Sequence, residues 1–355
     1  MTEELSKKQQ NSLVTYPVAV FVFFAFIIGV SIFVQKNDEN IVKNEEIELR
    51  KDNQVSKEKI RRMKTVLSKQ NDIITEVISQ PVKKEDFYNL SVEDAHAGII
   101  FDTKSGTILW EKNSTERRSI ASITKLVTAM VVIDRIRDLN EVVVIPESVM
   151  RIEGTKVGCP TSVICNAPRL QVGEKVRVKD LLRAMLMFSA NDVATTLAIH
   201  IAGSEEEFAK LMNARMKEVG AGNTNFCRPS GLELDENEES CYSSAYDIAR
   251  VVAHLRKHDK YSVLWDIMKT KEGTFTSVDG EIVHELKNTN RLVGEMDNLV
   301  GAKTGFTPRA GYCLALTSTS TDKEHDIVSI VLDDYQRFND VQKMSEWAFE
   351  NYVWK

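Results

Sequence analysis

The chain has few cysteines, no excess of positive charge and none of the short ligand spacings typical of zinc sites. Five cysteines in 355 residues are too few for a small disulfide-dense scaffold, and neither C-x-x-C nor H-E-x-x-H occurs. A formal net charge of −6 disfavours a phosphate-binding surface. We therefore expect no metal, no cofactor and no nucleic-acid partner. His254 and His258 lie one helical turn apart, which we attribute to a solvent-facing helix.

Residues 17–34 form a run without charge, PVAVFVFFAFIIGVSIFV, near the minimum length for spanning a bilayer. Lys7 and Lys8 precede the run, which favours a cytoplasmic N-terminus. We expect a short cytoplasmic tail over 1–16 and a single transmembrane anchor over 17–35. The remaining chain would then lie outside the cytoplasm, at the cell membrane. A cleaved signal peptide is the alternative.

Residues 36–84 are predicted to form a charged helical stalk or linker. Residues 37–80 contain no glycine, and apolar residues recur at a spacing of three to four between 60 and 77. This pattern indicates an amphipathic helix, with a weak coiled-coil self-association as one consequence. Pro81 would end the helix.

The cysteines fall into two pairs that are close in sequence, Cys159 with Cys165 and Cys227 with Cys241, while Cys313 stands apart. Outside the cytoplasm two local disulfides could form and leave Cys313 free. Spacing alone does not fix this pairing, so five reduced, mostly buried thiols remain the alternative.

The body, 85–355, reads as strands at both ends with helices between. Strands are predicted over 95–102, 107–111, 299–304, 312–318 and 326–332, and short β-like pieces over 141–145 and 175–178. Helices are predicted from about 121, over 180–188 and on to 201, over 204–219, from 244 and over about 339–352. This order indicates an α+β fold whose sheet joins distant parts of the chain.

The helix predicted from Ala121 carries a serine and a lysine three residues apart, Ser122 and Lys125. At this spacing the two side chains lie on the same helix face. A neutral lysine amine held against a serine hydroxyl can take its proton and make it a nucleophile.

Two further motifs follow in order. Ser189-Ala190-Asn191 lies at a break between two apolar helices, and Lys303-Thr304-Gly305 ends a predicted strand. Together with S-x-x-K, the S-x-N and K-T-G motifs form the set of the penicillin-binding proteins and class A β-lactamases.

Longer stretches resemble the D-alanyl-D-alanine carboxypeptidases among the low-molecular-mass penicillin-binding proteins, serine peptidase family S11. The stretches are RRSIASITKLVTAMVV, LLRAMLMFSANDVATTLA, FAKLMNARMKEVGAGNTNF, PSGL, YSSAYDIARVV and VGAKTGFTPRAGYCLAL. The likeness covers roughly residues 90–352. It implies a β-lactamase/transpeptidase-like fold, an antiparallel sheet packed with helices plus a mostly helical subdomain.

The resemblance also implies roles. Ser122 would attack the carbonyl between two D-alanines of a peptidoglycan pentapeptide, with Lys125 as base. Ser189 would relay a proton to the leaving amine, and Asn191 would hold the substrate backbone and Lys125. Lys125 must be neutral to act, and a nearby Lys303 would lower its pKa.

The K-T-G motif, Lys303, Thr304 and Gly305, would bind the terminal carboxylate. The backbone N–H groups of Ser122 and Phe306 would form the oxyanion hole. Arg337, just before the last helix, is a candidate carboxylate-binding arginine or else a surface charge. β-Lactam antibiotics would acylate the same serine.

Three alternatives accompany this reading. A class A-like β-lactamase needs a glutamate-bound water, for which Glu233 and Asn237 offer an E-x-x-x-N match in an acidic loop. A D,D-endopeptidase would cut cross-links. A catalytically silent, membrane-tethered peptidoglycan-binding scaffold is the third. The insertion with Cys159 and Cys165 could line the cleft and alter substrate preference.

Overall fold

The computed structural model describes Lys57 and residues 78–161, 163–233 and 240–355. The expected anchor and nearly all of the expected stalk lie outside these residues. Within them, no helix combines the length and the apolar character needed to cross a bilayer. The folded unit extends from Ile78 to Lys355.

A five-stranded antiparallel sheet forms the centre, in the order β3-β2-β10-β9-β8. Its strands are β2 (Ala97–Asp102), β3 (Ile108–Lys112), β8 (Leu299–Thr307), β9 (Gly311–Thr319) and β10 (Asp326–Leu332). The N-terminal strands therefore pair with a strand more than two hundred residues away. This confirms the predicted α+β class and a sheet assembled from distant segments.

Helices cover both faces of this sheet, which explains why β2 is buried at every position. One face packs against α5 (Ala245–Lys257) and the other against α7 (Arg337–Asn351). The first turn of α5 is capped by Ser244, whose Oγ accepts from the backbone N–H of Asp247.

The remaining helices form a second layer. They are α1 (Lys125–Arg135), α2 (Val178–Met187), α3 (Asn191–Ala202), α4 (Glu205–Glu218) and α6 (Ser262–Met268). α1 is buried along most of its length and contacts α2, α3 and α4. The layer thus holds α1 rigidly at the edge of the sheet.

Short pieces complete the fold. β4 (Val142–Val144) pairs with β5 (Lys175–Arg177), and β6 (Glu272–Thr276) pairs with β7 (Val283–Lys287). Single 3₁₀ turns span Ala121–Thr124, Glu147–Arg151 and Asp259–Tyr261. The β6–β7 hairpin was not predicted, because its largely polar residues give little hydrophobic signal. α6 was not predicted either, because seven residues are too few for a helical repeat to be recognised.

The chain ends pair with each other. β1 (Pro81–Lys83) is antiparallel to β11 (Tyr352–Trp354). β1 lies inside the range 36–84 that we expected to be stalk or linker. The last helix ends at Asn351 rather than at Tyr352, because Tyr352 already begins β11.

Both local disulfides are formed, Cys159–Cys165 and Cys227–Cys241, while Cys313 is free and buried. The solvent-facing reading of His254 was wrong. Its Nε2 lies 2.8 Å from Arg215 Nη2, and burial, helped by the Arg215 charge, lowers its pKa to about 4.

Candidate active site

Ser122 lies in the 3₁₀ turn that leads into α1, and its side chain is half-buried. The preceding Ala121 has φ +46°, the left-handed region that costs a non-glycine residue energy. β8 passes directly against this turn. A Cβ on Gly305 would lie 3.2 Å from the backbone N of Ser122. The glycine of K-T-G is thus needed for the strand to approach Ser122.

Lys125 is fully buried, and three oxygen atoms surround its Nζ. The Ser122 Oγ is 2.8 Å away. The amine donates to Asn191 Oδ1 and to the Ser230 carbonyl oxygen, each at 2.7 Å. An ammonium would donate to all three oxygens. A neutral amine would donate to the two carbonyl oxygens and offer its lone pair to the Ser122 hydroxyl, so these contacts accommodate both states.

The electrostatics favour the neutral state. Burial holds the pKa of Lys125 well below its usual range, and the positive charge of Lys303 lowers it further. The carboxylate of Asp192 opposes this shift, as the smallest of the three effects. The predicted role of Lys303 as the second cation therefore agrees in direction with the structure.

Ser189 lies between α2 and α3, at the helix break that the sequence predicted, and Asn191 is the first residue of α3. Ser189 has φ +67°, which turns the chain sharply between the two helices. Asn191 is fixed at both ends of its amide, because Oδ1 accepts from Lys125 while Nδ2 donates to the Glu153 carbonyl oxygen at 2.9 Å. Its backbone N–H donates to the Thr155 carbonyl oxygen at 2.7 Å. The insertion carrying Cys159 and Cys165 therefore borders the site.

Lys303 is buried on β8 and connects the second motif to the third. Its Nζ donates to Ser189 Oγ at 2.8 Å and to the Thr304 carbonyl oxygen at 2.9 Å. Burial, and secondly the Arg337 charge, lower the pKa of Lys303 to about 7. The Thr304 hydroxyl lies 2.6 Å from that of Thr289.

Phe306 follows Gly305 on β8, and Arg337 contacts the backbone of the same strand. The Phe306 ring is 51% exposed and stacks on Tyr312 at 4.5 Å between centroids. Arg337 is the first residue of α7 rather than a residue before it, and its Nη1 donates to the carbonyl oxygens of Gly305 (2.7 Å) and Cys313 (3.2 Å). These bonds place the guanidinium against the backbone of β8 and β9.

Sequence reasoning missed two contributors. The Ser230 carbonyl accepts from the base, and a backbone atom carries no residue-type signal. Asp192 is buried and accepts from the backbone N–H groups of Val157 and Val193. Burial raises the pKa of Asp192 to about 6. The sequence did offer a clue, because Asp192 is a charged residue directly after Asn191 in the first turn of an apolar helix.

Glu233 was considered only as a β-lactamase residue. In the structure its carboxylate accepts from the Ser119 hydroxyl and from the Thr307 hydroxyl, the latter at 2.7 Å. It ties the segment before Ser122 to the end of β8. Asn237 lies outside the described residues. Within those residues, no three His, Cys, Asp or Glu side chains are grouped to hold a metal.

Known proteins are similar to this chain in sequence and in fold. The chain is 31% identical to a D-alanyl-D-alanine carboxypeptidase, DacF, of Bacillus subtilis over 73% of this chain and 63% of that one. It is 32% identical to a D-alanyl-D-alanine endopeptidase of Pseudomonas aeruginosa over 71% of this chain and 76% of that one. The fold is similar to penicillin-binding protein D2 of Listeria monocytogenes, solved in its ampicillin-bound form. That likeness has TM-score 0.61 and 30% identity, and covers 74% of this chain and 99% of that one.

The chain thus spans slightly less than two thirds of the length of DacF. The peptidase S11 family, described as D-alanyl-D-alanine carboxypeptidase, matches residues 84–336, the range that contains all three motifs. With a family match over most of the chain and relatives above 30% identity, this protein belongs to the peptidase S11, D-alanyl-D-alanine carboxypeptidase family.

Proposed function

We propose that the protein is a serine-type D-Ala-D-Ala carboxypeptidase that removes the terminal D-alanine from peptidoglycan stem peptides. The observation that carries the proposal is the setting of the Lys125 amine. When the amine is neutral, its two N–H groups donate to Asn191 Oδ1 and the Ser230 carbonyl oxygen, and its lone pair is left for the hydroxyl of Ser122, 2.8 Å away. A lysine in this state takes a proton at neutral pH, as a general base must.

In the first half of the reaction Lys125 accepts the Ser122 proton while Oγ attacks the carbonyl carbon of the penultimate D-alanine. The C–N bond breaks, and the leaving D-alanine amine receives a proton. In the second half, water attacks the resulting ester. The stem peptide leaves with a new carboxylate and Ser122 regains its proton.

The other residues have positions suited to binding and proton transfer. The Ser189 hydroxyl accepts from Lys303 and is the group through which a proton would reach the leaving amine. Thr304 and the Lys303 ammonium bind the terminal carboxylate, with Gly305 allowing the close approach of β8. Asn191 holds Lys125 and the substrate backbone.

The N–H groups of Ser122 and Phe306 would stabilise the developing oxyanion. Arg337 holds β8 in place, because its guanidinium donates to the carbonyl oxygens of Gly305 on β8 and Cys313 on β9. We therefore assign it a positioning role on β8 in place of direct carboxylate binding.

The proposal includes location. Residues 17–35 would anchor the chain in the cell membrane, with 1–16 in the cytoplasm. The stalk that carries the catalytic body outside would span 36–77, because the folded unit begins at Ile78. The two disulfides support an oxidising compartment for that body. Weak self-association through the stalk belongs to the same proposal.

The test is sequential incubation of the body with a fluorescent penicillin and with a D-Ala-D-Ala pentapeptide. A long-lived adduct on Ser122 and release of free D-alanine are expected. Ser122→Ala should lose both, while Ser320→Ala, in a second S-x-x-K at the surface, should keep both.

Other outcomes select the alternatives. Fast turnover of the penicillin would indicate a β-lactamase, which would need a water on a carboxylate such as Glu233. Cleavage of cross-linked but not of free stems would indicate a D,D-endopeptidase. Absence of any labelling would indicate a silent scaffold.

A further inference from the structure

Residues 229–233 pass directly against the turn that carries the nucleophile. Gly231 has φ +79°, and an added Cβ would lie 2.1 Å from the Ala121 carbonyl oxygen. Only a glycine allows the two backbones to approach this closely. The segment therefore has a fixed position beside the turn, and its last residue, Glu233, reaches the residues that precede Ser122.

The carboxylate of Glu233 joins two parts of the chain that are distant in sequence. Its Oε1 accepts from the hydroxyl of Ser119, and the same atom accepts from the hydroxyl of Thr307 at 2.7 Å. Thr307 Oγ1 also accepts from the backbone N–H of Ala310 at 3.1 Å, so its single proton is the one donated to the carboxylate. One carboxylate oxygen therefore bridges the nucleophile segment and the end of β8.

The bridge lies next to the two N–H groups that we assign to the oxyanion hole. Ser119 precedes Ser122 by three residues, and Thr307 directly follows Phe306. Between these points the turn and the strand meet at Gly305, whose added Cβ would lie 3.2 Å from the Ser122 nitrogen. That contact limits how closely the two segments approach but not how far apart they move. Within the part of the chain that the structure describes, no backbone hydrogen bond joins the turn to β8. The carboxylate bridge therefore opposes their separation.

We propose that Glu233 is a positioning residue that fixes the distance between the N–H groups of Ser122 and Phe306 and thereby stabilises the oxyanion. This inference rests on the proposed function. In this role Glu233 takes no part in proton transfer. Negative charge develops on the carbonyl oxygen only as the tetrahedral intermediate forms, so misplaced donors weaken the transition state more than the bound substrate. Loss of the bridge should therefore lower kcat and leave KM nearly unchanged.

The test is steady-state hydrolysis of a D-Ala-D-Ala pentapeptide by Glu233→Ala and Glu233→Gln. Removal of one oxyanion donor costs about 10²–10³-fold in rate, and a displaced donor retains part of that stabilisation. We therefore expect Glu233→Ala to lower kcat about tenfold and to leave KM within about twofold of wild type. Glu233→Gln keeps an acceptor oxygen for both hydroxyls, so its kcat should stay within about threefold of wild type.

A boronic acid analogue of N-acetyl-D-alanine gives a readout that a merely structural role would not change. The Ser122 oxygen adds to its boron, the serine proton passes to the base, and the tetrahedral adduct places an oxygen in the oxyanion hole. Such a transition-state analogue depends on the same donors as the reaction. Glu233→Ala should weaken its binding by about the same tenfold factor by which kcat falls. Glu233→Gln should bind it like wild type.

Two controls separate the bridge from a loss of stability. Glu205→Ala removes another carboxylate that accepts from a threonine hydroxyl, that of Thr195 at 2.8 Å, and should change neither kcat nor boronate binding. Ser119→Ala removes one of the two donors to Glu233 and should lower kcat a few-fold. Adding it to Glu233→Ala should lower kcat no further, because both changes break the same bridge. Ser119→Ala also tests the bridge if Glu233→Ala does not fold.

The two proposals fail differently. Unchanged kcat and boronate binding in Glu233→Ala would overturn the positioning role, as would a rise in KM with kcat preserved. A Glu233→Gln variant as slow as Glu233→Ala would also overturn it, since the carboxylate would then act through its charge or as a base. In each of these cases an active wild type leaves the carboxypeptidase standing. If wild type neither binds penicillin nor releases D-alanine from the pentapeptide, the proposed function itself has failed.

Discussion

Gly154 offers a direct way to displace Asn191 without changing any group that takes part in the chemistry. Its φ is +75°, and an added Cβ would lie 2.6 Å from Asn191 Nδ2. Real Cβ atoms do not approach that closely, so in Gly154→Ala the amide of Asn191 must move. The other end of this amide accepts from the Lys125 amine. The substitution therefore disturbs the base through its acceptor.

Two effects of different size follow from the geometry. An alanine in the left-handed region costs about 1–2 kcal/mol of stability, which lowers Tm by roughly 2–8 °C for a domain of this size. Displacing Asn191 by an ångström misorients the base, and misplacement on this scale reduces a rate by about 10²-fold. We expect penicillin acylation to be the more affected property.

The matched control is Gly280→Ala. Gly280 has φ +83°, and no atom lies within 4 Å of the Cβ that would be added. The Gly280→Ala substitution places an alanine in the same left-handed backbone region, with the same loss of stability, but contacts no residue of the site. Both variants are compared by stopped-flow acylation with a fluorescent penicillin and by thermal unfolding. Thermal unfolding reports the backbone strain that both variants share, and the acylation rate reports the displacement of Asn191. If Gly154→Ala acylates as fast as Gly280→Ala, the reasoning about Asn191 is refuted.

Three further outcomes are expected. Lys303→Met should move the acid limb of the acylation pH profile up by roughly one unit, since Lys125 loses a repelling charge; an unmoved limb would exclude that coupling. Arg337→Leu should shift the alkaline fall of peptide kcat/KM upward, and Arg337→Lys should not, because Arg337 lowers the pKa of Lys303. Replacing Cys227 and Cys241 by serine should cost about 3 kcal/mol in chemical denaturation and slow acylation; full retention of the rate would show that this loop does not position the base.

Two of the three motifs could be located from the sequence because each lies where its element type changes. Ser122 leads into an apolar helix, and Ser189 separates two such helices. The K-T-G motif was predicted to end a strand over 299–304, but Lys303 lies in the middle of β8, which continues to Thr307. The structure brings the side chains of Ser122, Ser189, Asn191 and Lys303 into one cleft. A single sheet joining both ends of the body was predicted from the strand patterns there, whereas the pairing of β2 with β10 and the strand order required coordinates.

Other parts lacked a residue-type signal. β1 and β11 are three-residue strands that pair with each other, and three residues are too few for an alternating pattern to be recognised. The Ser230 carbonyl and the bonds of Arg337 to backbone oxygens depend on tertiary placement. Glu233 was noticed for a motif match, whereas its contacts are with Ser119 and Thr307.

Arg337, Lys303 and Lys125 influence one another's pKa in sequence, and this explains why Lys125, and not Lys303, is suited to be the base. Arg337 stays protonated in proteins, and its charge acts on Lys303, whose pKa falls to about 7. Lys303 in turn acts on Lys125, which is equally buried and also next to the nucleophile. Burial and the charge of Lys303 both favour the neutral form of Lys125, and the Asp192 carboxylate opposes them with a smaller effect. The Lys303 ammonium can then bind a carboxylate while Lys125 accepts the Ser122 proton.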